Sequence, residues 1–186
     1  MTPHEQLVEM LATRSARLGS FILASGQRSN LYIDARLTTM SPDGMATIGP
    51  LALAALREAG WRADAVGGLT MGADPVSCAI AYASALAGTP LRAFTVRKEA
   101  KTHGTGKLIE GPFRAGDLVV VVEDTITTGG SALKAIGAVR AQGGEVVGVL
   151  AVVDREEGGR ATLNAAGIAV VALTRAAEIV KQMRVL

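Results

Sequence analysis

Apolar and polar positions change period along this chain, and the change divides it. Residues 4–18 carry Leu7, Val8, Leu11 and Leu18 at roughly helical spacing with charges between them, which predicts an amphipathic helix. Phe21-Ile22-Leu23 and Leu31-Tyr32-Ile33 then flank the polar Ser25-Gly26-Gln27-Arg28-Ser29-Asn30, a hairpin pattern. Ser41-Pro42-Asp43 starts a helix with Pro near its first turn, running to Glu58 and stopped by Gly60. Beyond it, strand-length apolar runs alternate with helical stretches. Strands are predicted at 64–68, 91–96, 118–122, 146–153 and 168–173, and helices at 73–87, 130–142, 157–166 and 175–183.

These later strands are continuously apolar, as expected when helices cover both faces of a sheet. Repeated β-α units predict an α/β fold with a central parallel, doubly wound sheet flanked by helices. The first forty residues do not fit that repeat and are expected to form a small accessory lobe of a single domain, 1–186. A chain of 186 residues is long enough for one ample core. Hydrophobic residues are 49% and aromatics only 3%, so that core must be built from Ala, Val, Leu and Ile.

Composition then narrows the function classes. The single cysteine, Cys78, excludes an internal disulfide and fits a reducing compartment. Two histidines, His4 and His103, argue against a zinc site of His and Cys. A formal charge of +2 gives no case for nucleic acid. Met1-Thr2-Pro3-His4-Glu5 leads into an amphipathic stretch rather than a signal sequence, and no apolar run suits a bilayer span. A cytoplasmic protein without membrane or nucleic-acid partners is expected.

Four stretches carry candidate chemistry. Val119 to Val122 runs into Glu123 and Asp124, then Thr125, Ile126, Thr127, Thr128, Gly129, Gly130 and Ser131, before the helix opening at Ala132. Backbone N–H groups at a helix start seat phosphate, whereas carboxylates repel it. The acidic pair therefore serves something beside the phosphate, such as sugar hydroxyls or a metal, and a phosphosugar satisfies both halves. Simple capping of the following helix is the plainer alternative. The second stretch, Arg97 to Lys107, concentrates Arg97, Lys98, Lys101 and His103 beside Gly104 and Gly106. It reads either as a solvated face or as a mobile cationic loop for a departing pyrophosphate. Its Gly104-Thr105-Gly106-Lys107-Leu108 lacks the glycine spacing and the hydroxyl of a Walker A loop. In the third, Val66 to Pro75, Gly68 and Gly72 allow backbone approach to an anion, or the segment is simply a tight turn entering a helix at Asp74-Pro75. In the fourth, Val152 to Gly159, Arg155 either pairs with Glu156 or Glu157 or presents a fork to a substrate carboxylate.

The stretch from Glu123 to Ser131 resembles the phosphoribosyl-diphosphate signature of the type I phosphoribosyltransferases. Arg97 to Lys107, Asp154-Arg155-Glu156-Glu157-Gly158-Gly159, and the Ser25-Gly26 and Tyr32-Ile33-Asp34 region narrow the resemblance to the orotate phosphoribosyltransferases, from Phe21 to about Ile168. The resemblance implies the type I fold with an N-terminal hood lobe. It also implies a homodimer whose 97–107 loop acts across the interface, and Mg²⁺ held mainly by phosphoribosyl diphosphate and water rather than by protein ligands. By the same resemblance Glu123 and Asp124 hold the ribose hydroxyls, and Thr125, Ile126, Thr127, Thr128, Gly129, Gly130 and Ser131 wrap the 5-phosphate. Arg97, Lys98, Lys101 and His103 meet the pyrophosphate. Thr127, Arg155, Tyr32 and Ile33 contact orotate, and Lys101, His103 and Asp124 are the catalytic set. Two departures stand out: Ala24 replaces a Lys common before Ser25-Gly26, and Tyr32-Ile33 replaces an aromatic pair.

The reaction so implied joins orotate to the ribose of phosphoribosyl diphosphate, giving orotidine 5′-monophosphate and pyrophosphate. A purine or other pyrimidine transferase fits Arg155 less well, because those bases lack a carboxylate. A nucleic-acid-binding regulator would show a spare domain or a basic face, and this chain shows neither.

Overall fold

The structure, a computed structural model, describes residues 1–22, 28–99 and 108–184. Helix α1 (Pro3–Met10) opens with a reciprocal cap: Glu5 N donates to Thr2 Oγ1 at 3.2 Å and Thr2 N to Glu5 Oε2 at 2.7 Å. A π-helical turn, Leu11–Ser15, follows, and the backbone then becomes extended. Strand β1 (Ala16–Ile22) pairs antiparallel with β2 (Arg28–Ile33) in a two-stranded sheet of its own, as the hairpin pattern predicts. Of the polar loop expected at 25–30, Arg28, Ser29 and Asn30 instead belong to β2, paired with β1, and Leu23, Ala24, Ser25, Gly26 and Gln27 lie outside the described residues.

Helical periodicity carried as far as Leu18 overshoots. Leu18 lies in β1 opposite Leu31, with 53% of its surface exposed. Pairing with β2 decides the boundary: Asp34 N donates to Ser15 O at 2.9 Å, and Ala16 faces Ile33. Strand pairing thus takes up backbone groups that a longer helix would have used. Leu7, Met10 and Leu11 join the main core, while the hairpin stands apart as its own sheet.

A short helix α2 (Arg36–Thr39), not foreseen from the pattern, leads to α3 (Pro42–Glu58). Ser41 Oγ accepts from Gly44 N at 3.2 Å, and Gly60 beyond the helix end has φ of +68°, as the Ser-Pro start and glycine stop require. The chain then alternates β3 (Ala65–Leu69), α4 (Ala73–Leu86), β4 (Arg92–Val96), β5 (Ile109–Glu110), β6 (Leu118–Ile126), α5 (Gly130–Ala141), β7 (Glu145–Asp154), α6 (Gly159–Ala165), β8 (Val170–Arg175) and α7 (Ala176–Met183). The six strands lie in the order β5-β4-β3-β6-β7-β8, parallel except for β5, which pairs antiparallel with β4 at the edge.

Both faces of this sheet are covered. Val120 and Val122 pack with α1, α3, α4 and α7, while Val119 and Val121 pack with α5 and α6. That two-sided burial is why the strand reads as an unbroken apolar run. From β3 the chain moves outward to β4 and β5, then returns past β3 to β6. The direction of winding reverses between β3 and β6, and ligands of open α/β sheets bind outside the strand ends at such a point.

Two expectations are corrected here. Strand β6 continues through the acidic pair to Ile126, because Thr125 pairs with Val153 and Ile126 with Asp154 of β7. The room at Gly68 is taken by the neighbouring strand rather than by an anion: a Cβ there would collide with the carbonyl oxygen of Val122. Gly68→Ala is therefore expected to destabilise the fold by about 1–3 kcal/mol, the scale of overpacking. Urea unfolding with an unchanged m value measures this, and parental stability in the variant would show that β3 and β6 can separate without loss.

Candidate active site

A cleft of about 590 Å³ opens at the carboxyl ends of β3, β6 and β7. It is lined by Tyr32, Ile33, Lys98, Glu123, Asp124, Thr125, Thr127, Thr128, Ser131 and Arg155, all singled out from the sequence. Of the remaining candidates, Ile126 points into the core at 1% exposure. Gly129 and Gly130 form the turn into α5 behind the lining, and Arg97 is hydrogen-bonded to Glu110 at 3.4 Å. Lys101 and His103 lie outside the described residues, as do Gly104, Gly106 and Lys107 of the same loop.

The acidic pair sits at the end of a buried strand and its electrostatics follow from that. Glu123 is only 6% exposed and its Oε1 has no hydrogen-bond partner. Burial, with the neighbouring charge of Asp124 second, pushes its carboxyl up to about 8, so the free cleft holds it mostly neutral at pH 7. Burial also raises Asp124, opposed by the hydrogen bond from Thr125 N at 2.7 Å and by the charge of Arg36. Thr125 Oγ1 is likewise buried without a partner. Two unpartnered buried polar atoms in one cleft suit a polar ligand.

Beyond the pair, Gly129 takes φ of +86° and α5 begins with no side chain capping it. Its first N–H groups therefore stay free for an anion, with Thr127, Thr128 and Ser131 alongside. The turn is fastened from behind by Gly159 N, which donates to Thr127 O at 2.8 Å. Across the cleft, Leu69 to Gly72 forms the wall after β3. Asp74 braces that wall, accepting from Thr70 Oγ1 at 2.7 Å and Thr95 Oγ1 at 2.8 Å. A Cβ on Gly72 would stand 2.6 Å from Asp124 Oδ1, so glycine there lets the loop close against the carboxylate.

Arg155 enters from the end of β7, its backbone N donating to Ile126 O at 2.9 Å. Its guanidinium is held by the hairpin, donating to Leu31 O at 2.9 Å and Ser29 Oγ at 3.3 Å, and it pairs with Glu157 at 2.6 Å. Glu156 takes a different partner, accepting from Ala177 N at 3.0 Å. Tyr32 lines the same wall with its ring 5.5 Å from that of Phe21.

Sequence reasoning missed Arg36 and Glu157 as lining residues and gave Asp34 no role. Arg36 meets Asp34 through two hydrogen bonds, 2.8 and 3.0 Å, and its charge reaches Asp124. The signal was an acid and a base two positions apart, just after Tyr32-Ile33. Among the described residues no group of three or more His, Cys, Asp or Glu could hold a metal ion.

A comparison with protein-family models returns no match. The chain is 43% identical over 182 residues to the orotate phosphoribosyltransferase of Aquifex aeolicus, covering 96% of this chain and 98% of that one. It is 46% identical over 166 residues to that of Mycobacterium avium, covering 88% and 89%. Among solved structures, it superposes on the Mycobacterium tuberculosis enzyme in complex with Fe(III) dicitrate with a TM-score of 0.85 at 43% identity, covering 96% and 99%. The same enzyme in complex with 5-phospho-α-D-ribosyl 1-diphosphate gives 0.81 at 40% identity, with the same coverage.

The raised Glu123 carboxyl makes stability depend on pH. Below about 4.5 the folded and unfolded carboxyls are both protonated, and between there and about 8 only the unfolded one ionises. The free protein should therefore lose stability as pH rises through that window, and Glu123→Gln should flatten the loss. Urea midpoints at pH 5.5 and 8.5 check this; equal slopes for parent and variant would contradict it.

Proposed function

The chain belongs to the orotate phosphoribosyltransferases, and on that premise we propose how its cleft moves a 5-phosphoribosyl group from phosphoribosyl diphosphate to orotate. The reaction gives orotidine 5′-monophosphate and diphosphate, a pentosyl transfer of pyrimidine biosynthesis. One observation carries the reading. The cleft at the winding reversal sets an uncapped helix start and two carboxylates against a buried arginine with an unpartnered Nε. The first pair of features suits a phosphosugar and the last an acidic base.

In this reading the 5-phosphate of the donor sits on the N–H groups of Thr128 to Ser131 with the hydroxyls of Thr127, Thr128 and Ser131 around it. Glu123 and Asp124 take the ribose hydroxyls, which satisfies the orphaned Glu123 Oε1, and the phosphate side of the turn takes Thr125 Oγ1. Orotate lies between Tyr32, Ile33 and Thr127, with its carboxylate on Arg155. Its ionised ring nitrogen needs no strong protein base, and displacement at the anomeric carbon develops oxocarbenium character. The residues then act by orienting the two partners and meeting the charge that gathers on diphosphate. Lys98, which lines the cleft, serves that end with Arg97, and Lys101 and His103 of the 97–107 loop join it, the loop reaching over the site of a second copy in a homodimer. His103 donates a proton or a hydrogen bond to the departing diphosphate.

Mg²⁺ fits these residues as a passenger of the donor: two carboxylates edge the cleft, but among the described residues no cluster could hold it alone. When bound it neutralises charge on the diphosphate. The chain functions as a single domain, with the hairpin as the accessory lobe over the base. No helix among the described residues is long and apolar enough to cross a membrane. A cytoplasmic setting without nucleic acid suits the modest charge of +2.

Incubation with Mg²⁺, phosphoribosyl diphosphate and, separately, orotate, uracil, adenine and hypoxanthine should give nucleotide with orotate alone. Product formed only with a purine would overturn the assignment. Asp124→Asn should raise the KM for phosphoribosyl diphosphate about tenfold, the scale of a charge-assisted hydrogen bond. Initial-rate kinetics at saturating orotate measure it, and unchanged KM and kcat would remove Asp124 from the ribose.

A further inference from the structure

We infer that Glu157 holds, in the free protein, the place on Arg155 that the carboxylate of the incoming base takes, so that orotate binds by exchanging one carboxylate for another. The inference rests on the assignment of Arg155 to the base side of the cleft. Arg155 has a side chain only 4% exposed, and a buried guanidinium needs a compensating anion at all times. Three acceptors crowd its Nη2: Leu31 O at 2.9 Å, Ser29 Oγ at 3.3 Å and Glu157 Oε1 at 2.6 Å. Its Nε is buried and has none. The fork is therefore loaded at one nitrogen and empty at another, which is the state of a binding group waiting for a second carboxylate oxygen.

Of the three acceptors only one can leave at small expense. Leu31 O belongs to the backbone of β2, and Ser29 Oγ is itself held by Leu31, donating to its carbonyl at 2.8 Å. Glu157 has a side chain 31% exposed and lines the cleft, so it can swing into water and be rehydrated there. Glu156 cannot substitute for it, because its carboxylate is taken by Ala177 N at the start of α7. Exchange of like for like keeps the guanidinium paired throughout. A neutral base offers no charge to replace the one that leaves, so Glu157 stays on Arg155 against it. The residue thus reserves the contact with Arg155 for a base that carries a carboxylate, and it acts through Arg155, as a positioning residue.

Glu157→Gln keeps the shape and removes the competing charge. Its KM for orotate should fall about two- to fivefold, the scale of a partly exposed charge pair, with KM for phosphoribosyl diphosphate within about 1.5-fold of the parent. Inhibition by uracil, which has no carboxylate to exchange, should keep its parental Ki. Glu157→Ala, a second variant at the same exposed position, should shift the orotate KM in the same direction. A KM for orotate that is unchanged or raised in both variants would overturn the exchange, because a carboxylate that merely orients Arg155 would be missed on removal. Arg155→Lys separates the two layers of argument. If it leaves the orotate KM unaltered, the base-site assignment itself fails; if it raises that KM while neither Glu157 variant lowers it, only the exchange fails.

Discussion

The register of β6 on β7 is the constraint on which the site depends. The two strands stay paired past the last valine of β6, with Glu123 opposite Ala151, Thr125 opposite Val153 and Ile126 opposite Asp154, and Arg155 N extends the ladder to Ile126 O. A parallel ladder fixes neighbouring residues to within a fraction of a strand spacing. By that register Arg155 leaves the sheet level with Thr127, just beyond the acidic pair, and both line one cleft. A slip of a single residue would turn Glu123 and Arg155 to opposite faces and place a valine where the carboxylate stands.

Holding polar groups at the end of such a ladder has an electrostatic consequence. Glu123 is buried with one oxygen unpartnered and its carboxyl is pushed up to about 8, while the buried guanidinium of Arg155 is paired with Glu157 and the hairpin carbonyl. The free cleft is thus under-satisfied beside the acidic pair and provisionally satisfied beside Arg155. The surrounding loop is rigidly tied. Asp154 accepts from Glu156 N at 2.9 Å and from Arg160 Nε at 2.8 Å, and Arg160 reaches on to Val170 O. Glu156 adopts φ of +59°, unusual for a residue with a side chain, within this bracket. A loop fastened at both ends lets Glu157 move without carrying Arg155 with it.

The alternation of β and α after residue 60, the start of α3 at Ser41-Pro42 and the glycine turn before α5 were all legible, because each is written in local chemistry: unbroken valines, a capping hydroxyl, glycines. The end of α1 was not, since Leu18 continues the helical spacing and only the partner strand β2 draws the chain into a hairpin. The length of β6 was hidden for the same reason, as two carboxylates look like a strand end until a neighbouring strand pairs with them. Arg36 was overlooked because it sits in no motif, and Glu157, though within the Asp154–Gly159 stretch, because only its bond to Arg155 sets it on the cleft; Arg36 is likewise placed by its bond to Asp34.

By itself the sequence determined the α/β class, the strand–turn–helix junction with its acidic pair at Glu123 to Ser131 and the two readings open to Arg155, since these follow from composition and spacing along the chain. The tertiary structure decided that the reversal of winding falls between β3 and β6, that Gly68 and Gly72 make room for a carbonyl and a carboxylate of the chain itself, and that Arg155 pairs with Glu157 while still presenting an empty Nε. Periodicity records which face of an element is buried, but not what lies opposite it. Distance between residues far apart in the chain, and the burial that shifts a carboxyl or strands a donor, exist only once the strands are laid side by side.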